Sequence, residues 1–322
     1  MIFAPAITGP TASGKTALSI RLAKEFGFEI ISADSMQIYR GMDIGTAKAS
    51  AAEQAQVRHH LIDVVEASES FSAFDYRKLA TKTARDIISR GCIPLFVGGT
   101  GLYIDTLMRA DTQSDVPESS REFRERLEAT LKTDEDKMRL WQRLREIDPS
   151  SAEAIHPNNT RRVIRAIEIF ETTNTTKSEL DAKSREKSSE FDVFMITLDF
   201  HSRETLYRRI DSRVDEMLEL GLYDEVLELV RSGALMPNTT AGQAIGYKEM
   251  LAVIDGESTL EAAAEAIKLA SRRYAKRQLT WFRHEKDAAR IMVDRENGEL
   301  RAPDELFAEA KQLIEEKIKF YI

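Results

Sequence analysis

Short apolar runs alternate with amphipathic stretches along the first hundred residues. Residues 2–8, 29–33 and 93–97 are brief apolar runs typical of buried strands, whereas 15–26 and 74–90 repeat apolar side chains at helical spacing. Strands that alternate with helices in this way predict an α/β fold, a parallel sheet flanked by helices. Ligands of such a sheet collect in the crevice beyond the carboxyl ends of its strands.

The middle of the chain has a different pattern. From about residue 113 to 190 it is polar, has helical periodicity and contains no convincing strand. We therefore expect a core domain formed by residues 1–112 and 191–322, and a helical insertion domain at 113–190 in which 172–189 is an exposed loop. The second part of the core is expected to contain a strand at 192–199, helices at 203–220, 223–232 and 259–284, a loop containing 242–248 and a last helix from about 304.

The first apolar run leads into a complete G-x-x-x-x-G-K-[ST] phosphate loop. Its residues are Gly9, Pro10, Thr11, Ala12, Ser13, Gly14, Lys15 and Thr16. In such a loop the backbone N–H groups and the start of the following helix surround phosphate oxygens, and the lysine adds a positive charge. The hydroxyl of Thr16 is of the type that binds Mg²⁺ together with phosphate oxygens. The pattern predicts a P-loop NTPase-like core, a polyphosphate ligand and Mg²⁺ as cofactor.

A carboxylate follows the second apolar run, and a threonine follows the third. Asp34 lies at the expected end of one strand, and Thr100 lies in the sequence Gly98-Gly99-Thr100-Gly101 after the other. Because the carboxyl ends of parallel strands share one edge of the sheet, we expect both side chains to converge on the phosphate loop. From the residues alone, two roles fit Asp34 equally well. Its carboxylate could place magnesium or the acceptor substrate, or it could accept a proton.

Composition limits the class of protein. The chain has 322 residues, of which 42% are apolar and 31% charged, and a single cysteine, Cys92. One cysteine excludes an internal disulfide and a multi-cysteine zinc site. No apolar stretch approaches the roughly 20 residues that cross a bilayer, and residues 1–8 leave no room for a signal peptide before the phosphate loop. We expect a cytoplasmic protein without a membrane partner.

The net charge of −8 weakly disfavours a nucleic-acid partner, but the basic residues are clustered. The clusters are Arg161, Arg162 and Arg165; Arg203, Arg208, Arg209 and Arg213; and Lys268, Arg272, Arg273, Lys276, Arg277, Arg283, Lys286 and Arg290. Each cluster by itself fits a solvated helix face paired with nearby acids. Three clusters in an acidic protein favour a surface segregated by charge, as a polyanion partner requires.

The residues after Asp34 narrow the function. The segment 34–48, DSMQIYRGMDIGTAK, resembles the signature of the tRNA dimethylallyltransferases, also called tRNA isopentenyltransferases or the IPP transferase family. Similar stretches extend over most of the chain, at 59–63, 98–103, 161–166, 246–250 and 273–283. The cysteine-rich zinc extension of eukaryotic members is absent, so the chain resembles the short bacterial form.

The resemblance implies transfer of a dimethylallyl group from its diphosphate to N6 of adenosine 37, in tRNAs that read UNN codons, with release of diphosphate. It implies that Asp34 is the general base, that Thr100 and the segment 34–37 line a pocket for the flipped adenine, and that Arg213 binds the diphosphate. A surface salt bridge is the alternative for Arg213. The implied partners are dimethylallyl diphosphate and the tRNA anticodon stem–loop, and we expect a monomer.

By the same resemblance, three parts of the chain are expected to contact tRNA. The predicted set is Asp34, Ser35, Met36, Gln37, Thr100, Arg124, Arg161, Arg162, Val163, Ile164, Arg165, Gln243, Ala244, Ile245, Gly246, Tyr247 and Lys248. Contacts of this kind mostly position the RNA backbone, while splayed bases supply specificity. Trp281 and Phe282 fit either stacking on a base or core packing. His59 and His60 lack partners at metal spacing and are expected to be structural.

Three other functions stay open at this point. An adenylate prenyltransferase would use the same phosphate loop and aspartate, but needs neither the helical insertion nor the basic clusters. A phosphotransferase that uses ATP would suit Asp34 as an organiser of magnesium. A non-catalytic RNA-binding protein would leave the intact phosphate loop unexplained.

Overall fold

The computed structural model describes residues 1–109, 121–186 and 189–321. The chain divides into two compact units, one formed by Met1–Leu107 with Phe191–Ile322 and the other by Met108–Glu190. The boundary that we predicted at residues 112 and 113 lies outside the described residues. No helix in the described part of the chain is long and apolar enough to cross a membrane.

The first unit is built on a parallel sheet. Its strands are β1 Ile2–Thr8, β2 Phe28–Ser32, β3 His59–His60, β4 Ile93–Gly98, β5 Phe191–Asp199 and β6 Ala289–Met292. Their order is β3-β2-β4-β1-β5-β6, and every neighbouring pair is parallel. The parallel sheet predicted from the alternating pattern is therefore confirmed.

Helices connect the strands of this unit and make up the second unit. In the first unit they are α1 Lys15–Phe26, α2 Ala51–Gln54, α3 Ala73–Ser89, α4 Gly101–Met108, α10 Arg203–Glu219, α11 Leu222–Arg231, α12 Tyr247–Ile254, α13 Leu260–His284 and α14 Pro303–Ile318, of which α4 ends at the boundary. In the second unit they are α5 Arg121–Ala129, α6 Asp134–Ile147, α7 Pro149–Ala154, α8 Thr160–Thr173 and α9 Lys177–Glu186.

Pro5 lies in a central strand, a position that proline usually avoids because it has no N–H to donate. Strand β1 pairs with β5 along its whole length, from Ile2 to Thr8, but pairs with β4 only from Ala6 onward. Pro5 therefore precedes the part of β1 that is paired on both sides. The strand tolerates it for this reason.

The sheet is buried on both faces, as parallel sheets are. Successive residues of β1 point to opposite faces of the sheet and belong to different apolar clusters. Ala4 and Ala6 pack on one face with Phe96, while Ile7 packs on the other with Leu22. The second unit has a core of its own around Leu144 and Ile167. Each unit thus buries a separate set of apolar side chains.

Two loops predicted from the sequence are partly helical. The stretch 172–189 contains α9, which has few apolar residues and therefore gave no amphipathic signal. The stretch 242–248 ends inside α12, since that helix begins at Tyr247. In addition, the two-residue strand β3 and the four-residue strand β6 were not predicted, because neither is a long apolar run.

Candidate active site

A cleft of about 1560 Å³ lies beyond the carboxyl ends of the central strands of the first unit. Its walls include the phosphate loop from Thr11 to Thr16, the segment 34–37, the segment 43–51 and residues of α10 and α13. A typical small-molecule pocket is about 300–1,000 Å³. The cleft therefore has room for more than one small ligand. The predicted convergence of the phosphate loop with Asp34 is observed here, whereas Thr100 is not among the residues that line the cleft.

The phosphate loop is braced from inside and from α10. Lys15 Nζ donates a hydrogen bond to the Pro10 carbonyl at 2.6 Å, and Arg209 Nε donates to the Ala12 carbonyl at 2.7 Å. The Ser13 side chain is 1% exposed, and its hydroxyl has no hydrogen-bond partner in the described structure. A buried hydroxyl without a partner is costly unless a ligand completes it. The loop is therefore shaped to receive an oxygen-rich group.

Lys15 lies in an electropositive and poorly hydrated position. Burial first and the positive charge of Arg213 second lower the pKa of its ammonium group, while Asp34 opposes this change, and the net pKa is about 7. Burial also lowers the pKa of Arg213, again opposed by the charge of Asp34. Two cations beside one carboxylate form a site suited to a diphosphate.

Asp34 stands at the edge of the sheet, one residue after Ala33, which follows β2. Its Oδ1 accepts a hydrogen bond from the Met36 backbone N–H at 2.9 Å, which fixes the carboxylate in one orientation. Its Oδ2 makes no hydrogen bond to any residue that the structure describes. This oxygen is available to accept a proton or a hydrogen bond from a ligand in the cleft.

Thr100 joins the end of β4 to the segment after Asp34. Its backbone N–H donates to the Ala33 carbonyl at 3.2 Å, and its Oγ1 accepts a hydrogen bond from the Ser35 N–H at 3.0 Å. Burial, followed by the charge of Asp34, raises the pKa of the hydroxyl of Tyr274 on α13 to about 12. The tyrosine hydroxyl is therefore protonated at neutral pH.

The segment after Met36 is held by its own polar side chains. Gln37 lines the cleft, but its Oε1 accepts a hydrogen bond from Ser32 Oγ at 3.0 Å and its Nε2 reaches the carbonyls of Thr46 and Ala47 at 3.4 Å. The Lys48 side chain is 3% exposed, and its Nζ contacts Asp43 and Asp63 at 2.5 Å. Both residues serve first to fix the loop that forms this wall.

Three large apolar residues of the predicted tRNA set have almost no exposed surface. Val163 and Ile164 are each 1% exposed in the core of the second unit, and Tyr247 is 0% exposed in the core of the first. These three side chains have almost no surface to offer to RNA, so any contact with tRNA would use their backbone, and the tRNA contact stays a prediction. The signature residues at these positions are there for packing.

The four arginines of the second unit that were predicted to contact tRNA fall into two groups. Arg124 and Arg165 both pair with Glu168, at 2.8 Å and 2.7 Å, and the Glu168 side chain is fully buried. A buried carboxylate needs such partners. Arg161 and Arg162 are exposed and make no ion pair with residues in the described ranges. Of the four predicted arginines, these two are the ones whose guanidinium groups are available to phosphates.

The other predicted tRNA residues lie around α12. Gln243, Ala244, Ile245 and Gly246 line the cleft, whereas the exposed Lys248 lies 3.4 Å from Glu249. Gln243 Nε2 donates to the Pro237 carbonyl at 2.8 Å, which fixes the turn before the helix. Four of these five residues therefore face the space that a ligand would enter.

The basic cluster on α13 is only partly available to a polyanion. Three of its cations are paired with carboxylates: Lys268 with Asp215, Arg272 with Asp211 and Arg283 with Asp199. Others are exposed: they are Arg273, Lys276 and Arg277, of which Arg277 lines the cleft. The predicted charged surface is therefore smaller than the count of basic residues indicates.

The histidines and aromatics have structural environments. His60 Nε2 lies 2.6 Å from Glu29, and among the described residues no group of three potential metal ligands was found. Phe282 is fully buried, and the Trp281 ring packs against Gly101, where a Cβ would lie 2.4 Å from it. Phe282 is therefore a core residue, and the Trp281 ring takes part in packing.

Two polar residues that organise the cleft were not predicted. Gln278 on α13 bonds to both the phosphate loop and Gly99, and Glu225 on α11 bonds to the backbone of residues 43–45. Gln278 lies among the buried apolar residues of α13, and an uncharged polar residue in such a stripe was the available signal. Glu225 gave no signal, because acidic residues are common on helices.

The site agrees with what comparison of sequences finds. The model of the family described as IPP transferase matches residues 37–285. The chain belongs to this family. It is 46% identical over 278 residues to the tRNA dimethylallyltransferase of Caldanaerobacter subterraneus subsp. tengcongensis, covering 86% of this chain and 87% of that protein. It is 48% identical over 279 residues to that of Halalkalibacterium halodurans, covering 87% of each.

Solved structures of similar proteins support the same assignment. The full-length tRNA isopentenylpyrophosphate transferase from Bacillus halodurans has a TM-score of 0.70 at 43% identity, over 100% of this chain and 99% of that one. A eukaryotic dimethylallyltransferase acting on tRNA has a TM-score of 0.77 at 32% identity, over 91% of this chain and 74% of that one. The resemblance that began with residues 34–48 therefore covers the chain, and the IPP transferase assignment is confirmed.

Proposed function

We propose that the chain transfers a dimethylallyl group from dimethylallyl diphosphate to N6 of adenosine 37, in tRNAs that read UNN codons. The observation that carries this proposal is the shared cleft, in which a phosphate loop and Asp34 meet. Relatives with 46% and 48% identity are named tRNA dimethylallyltransferase, which supports the same activity here.

The phosphate loop would hold the group that leaves. Breaking the bond between C1 of the allyl group and the diphosphate oxygen puts negative charge on that oxygen. Backbone N–H groups, Lys15 and Arg213 are already oriented around the loop, so they stabilise the departing diphosphate with little rearrangement.

Magnesium fits this side of the cleft. Mg²⁺ is usually held by one or two protein oxygens together with substrate phosphates and water. The Thr16 hydroxyl makes no hydrogen bond within the described structure, and Thr16 lines the cleft beside Lys15. Bound there with the diphosphate, Mg²⁺ would supply Lewis-acid stabilisation of the leaving charge. Removal of Mg²⁺ with a chelator should stop transfer, and restoring the ion should restore it.

Asp34 would hold the group that attacks. Adenine N6 is a weak nucleophile because its lone pair is delocalised, so it gains from a proton acceptor as the bond to C1 forms. The free Oδ2 of Asp34 accepts that proton, while the bond from the Met36 N–H keeps the carboxylate in place. The base has to leave its stack to reach this position, and the size of the cleft allows it.

The tRNA itself would use surfaces outside the reacting centre. Arg161 and Arg162 are exposed cations of the second unit, and Arg277 is one at the cleft. We assign them to phosphate contacts, which position the anticodon stem–loop without reading its sequence. We further propose that the protein acts as a monomer in the cytoplasm, where its tRNA substrate is found.

One assay tests the activity against its alternatives. The protein is incubated with Mg²⁺ and radiolabelled dimethylallyl diphosphate, together with unmodified tRNA or with AMP, and separately with γ-labelled ATP. We expect label in tRNA, at adenosine 37 after nuclease digestion, and release of diphosphate. Label in AMP would support the free-nucleotide prenyltransferase instead, label from ATP a phosphotransferase, and no transfer at all would contradict every catalytic reading.

A further inference from the structure

Gln278 connects two loops that approach the cleft from different strands. Its side chain is 5% exposed, and its Oε1 accepts a hydrogen bond from the Thr11 N–H of the phosphate loop at 2.9 Å. Its Nε2 donates to the carbonyl of Gly99, after β4, also at 2.9 Å. One amide group thus spans between the loop after β1 and the loop after β4.

The chemistry of the two partners fixes the orientation of this amide. Thr11 offers an N–H, which only the amide oxygen can accept, and Gly99 offers a carbonyl, to which only the amide NH₂ can donate. A carboxylate could accept the first bond but would repel the Gly99 carbonyl. An apolar side chain of the same length would make neither bond.

The space around Gln278 is equally restrictive. A Cβ on Gly99 would lie 2.2 Å from Gln278 Nε2, so a side chain at that position would displace the amide. Gly99 therefore has to be glycine for the backbone to come within hydrogen-bonding distance of α13. The space that the Gln278 amide occupies is therefore shaped both by α13 and by the loop after β4.

The same network reaches the acceptor side of the cleft. The Gly99 carbonyl that accepts from Gln278 belongs to the residue directly before Thr100. Thr100 in turn accepts the Ser35 N–H at 3.0 Å, next to Asp34. Three hydrogen bonds and the Gly99–Thr100 peptide therefore connect Thr11, beside the diphosphate site, to Ser35, the residue adjoining the base.

We propose that Gln278 is a positioning residue, which sets the distance between the bound diphosphate and the attacking amine. The inference rests on the proposed function, because it assigns the two loops to leaving group and acceptor. Displacement by 1 Å costs a reaction of this kind up to about 100-fold in rate. Gln278 lines the cleft, but both polar ends of its amide are used by Thr11 and Gly99, so it acts through these two residues.

The first test separates positioning from binding. For Gln278→Leu, kcat with both substrates saturating should fall about 10- to 100-fold. The dissociation constants for dimethylallyl diphosphate and for tRNA, measured without the second substrate, should change less than about three-fold, since each loop still binds its own ligand. If the variant bound both ligands more weakly, with raised dissociation constants, but kept the kcat of the wild type, the proposal would be overturned.

The second test uses Gln278→Glu, which keeps the length of the side chain. When protonated, the acid accepts from Thr11 through one oxygen and donates to Gly99 through its O–H, as the amide does. When ionised, it repels the Gly99 carbonyl. The ratio of kcat for this variant to kcat for the wild type should therefore fall at least about 10-fold between pH 5.5 and 8.5, because burial raises the pKa of the introduced carboxyl.

Two controls make this pH dependence specific. The same ratio for Gln278→Leu should stay constant, because leucine has no proton to lose. Gln312→Glu, a matched change at a glutamine of α14 outside the cleft, should behave like the wild type. A constant ratio for Gln278→Glu, at any level, would overturn the proposal. Failure of the proposed function is distinguishable, because the wild type itself would then transfer no label to tRNA.

Discussion

The hydroxyl of Tyr247 donates a hydrogen bond of 2.6 Å to Oε1 of Glu225, and both side chains support the loop beside the cleft. The same carboxylate accepts the backbone N–H groups of Asp43, Ile44 and Gly45, at 2.7 to 3.2 Å. A Cβ on Gly45 would lie 2.5 Å from the Tyr247 ring. The middle of the 34–48 signature is thus held by one carboxylate and one aromatic ring.

This relationship predicts unequal effects of two substitutions. Tyr247→Phe removes one bond to a charged acceptor and should lower the free energy of unfolding by about 1.5–3 kcal/mol. Glu225→Ala removes that bond and leaves three N–H groups without their acceptor, so it should cost more. Urea unfolding followed by circular dichroism measures both. Equal losses would show that the backbone bonds to Glu225 do not contribute.

Asp34→Asn should lower kcat by a factor of about 10²–10⁴, because an amide keeps the shape but cannot take the proton from N6. The affinity for tRNA should stay within a few-fold. Single-turnover transfer and a filter-binding titration measure the two quantities. Asp287→Asn, at an exposed position outside the cleft, is the matched control and should change neither. Retained turnover with lost tRNA binding would assign Asp34 to binding.

The lowered pKa of Lys15 predicts how stability depends on pH. The folded protein releases this proton near pH 7, whereas an unfolded lysine keeps it to about pH 10.4. Between these values the unfolded state binds more protons, so this group makes the protein more stable as pH rises, by at most about 1.4 kcal/mol per pH unit.

Comparison with Lys15→Met isolates the effect of this lysine. The free energy of unfolding of the wild type should increase relative to that of the variant between pH 7 and 9, in the absence of ligand. Lys24→Met, on the exposed side of the same helix, should show no such difference. If the free energy of unfolding of the wild type instead decreased with rising pH relative to that of Lys15→Met, the folded state would hold the proton more tightly than the unfolded chain.

The sequence predicted the elements whose signal is local. Strand β1 and helix α1 have the predicted bounds, because an apolar run, a phosphate loop and an amphipathic helix follow one another without a gap. Strand β3 and helix α9 were not predicted, since the first is two residues long and the second has few apolar residues. Their structure is set by neighbours that a periodic pattern does not record.

The candidate site divides in the same way. The phosphate loop and Asp34 were predicted because each belongs to a motif of consecutive residues. Gln278 was not, because its partner Thr11 is 267 residues away in the chain. Val163 and Ile164 were assigned to RNA by the resemblance, as part of the block 161–165. On a helix, however, neighbouring residues point in different directions, and these two point into the core.

The exposed pair Arg161 and Arg162 should govern the salt dependence of tRNA binding. Each phosphate contact adds about 0.7–0.9 to the slope of log K against log salt concentration. The double change Arg161→Ala with Arg162→Ala should therefore reduce the magnitude of that slope by about 1.5, and should weaken binding of cognate and non-cognate tRNAs alike.

The control for this prediction keeps the number of removed charges equal. Arg139 and Arg143 are exposed in the same unit, but they pair with Asp136 and Glu171. Replacing both with alanine should leave the slope within about 0.5 of the wild type, because an arginine engaged by a carboxylate releases few counterions from RNA. Salt titrations at a fixed pH, with kcat measured on the same preparations, complete the comparison. A slope unchanged by the first pair and reduced by the second would move the RNA contact to the face of α6.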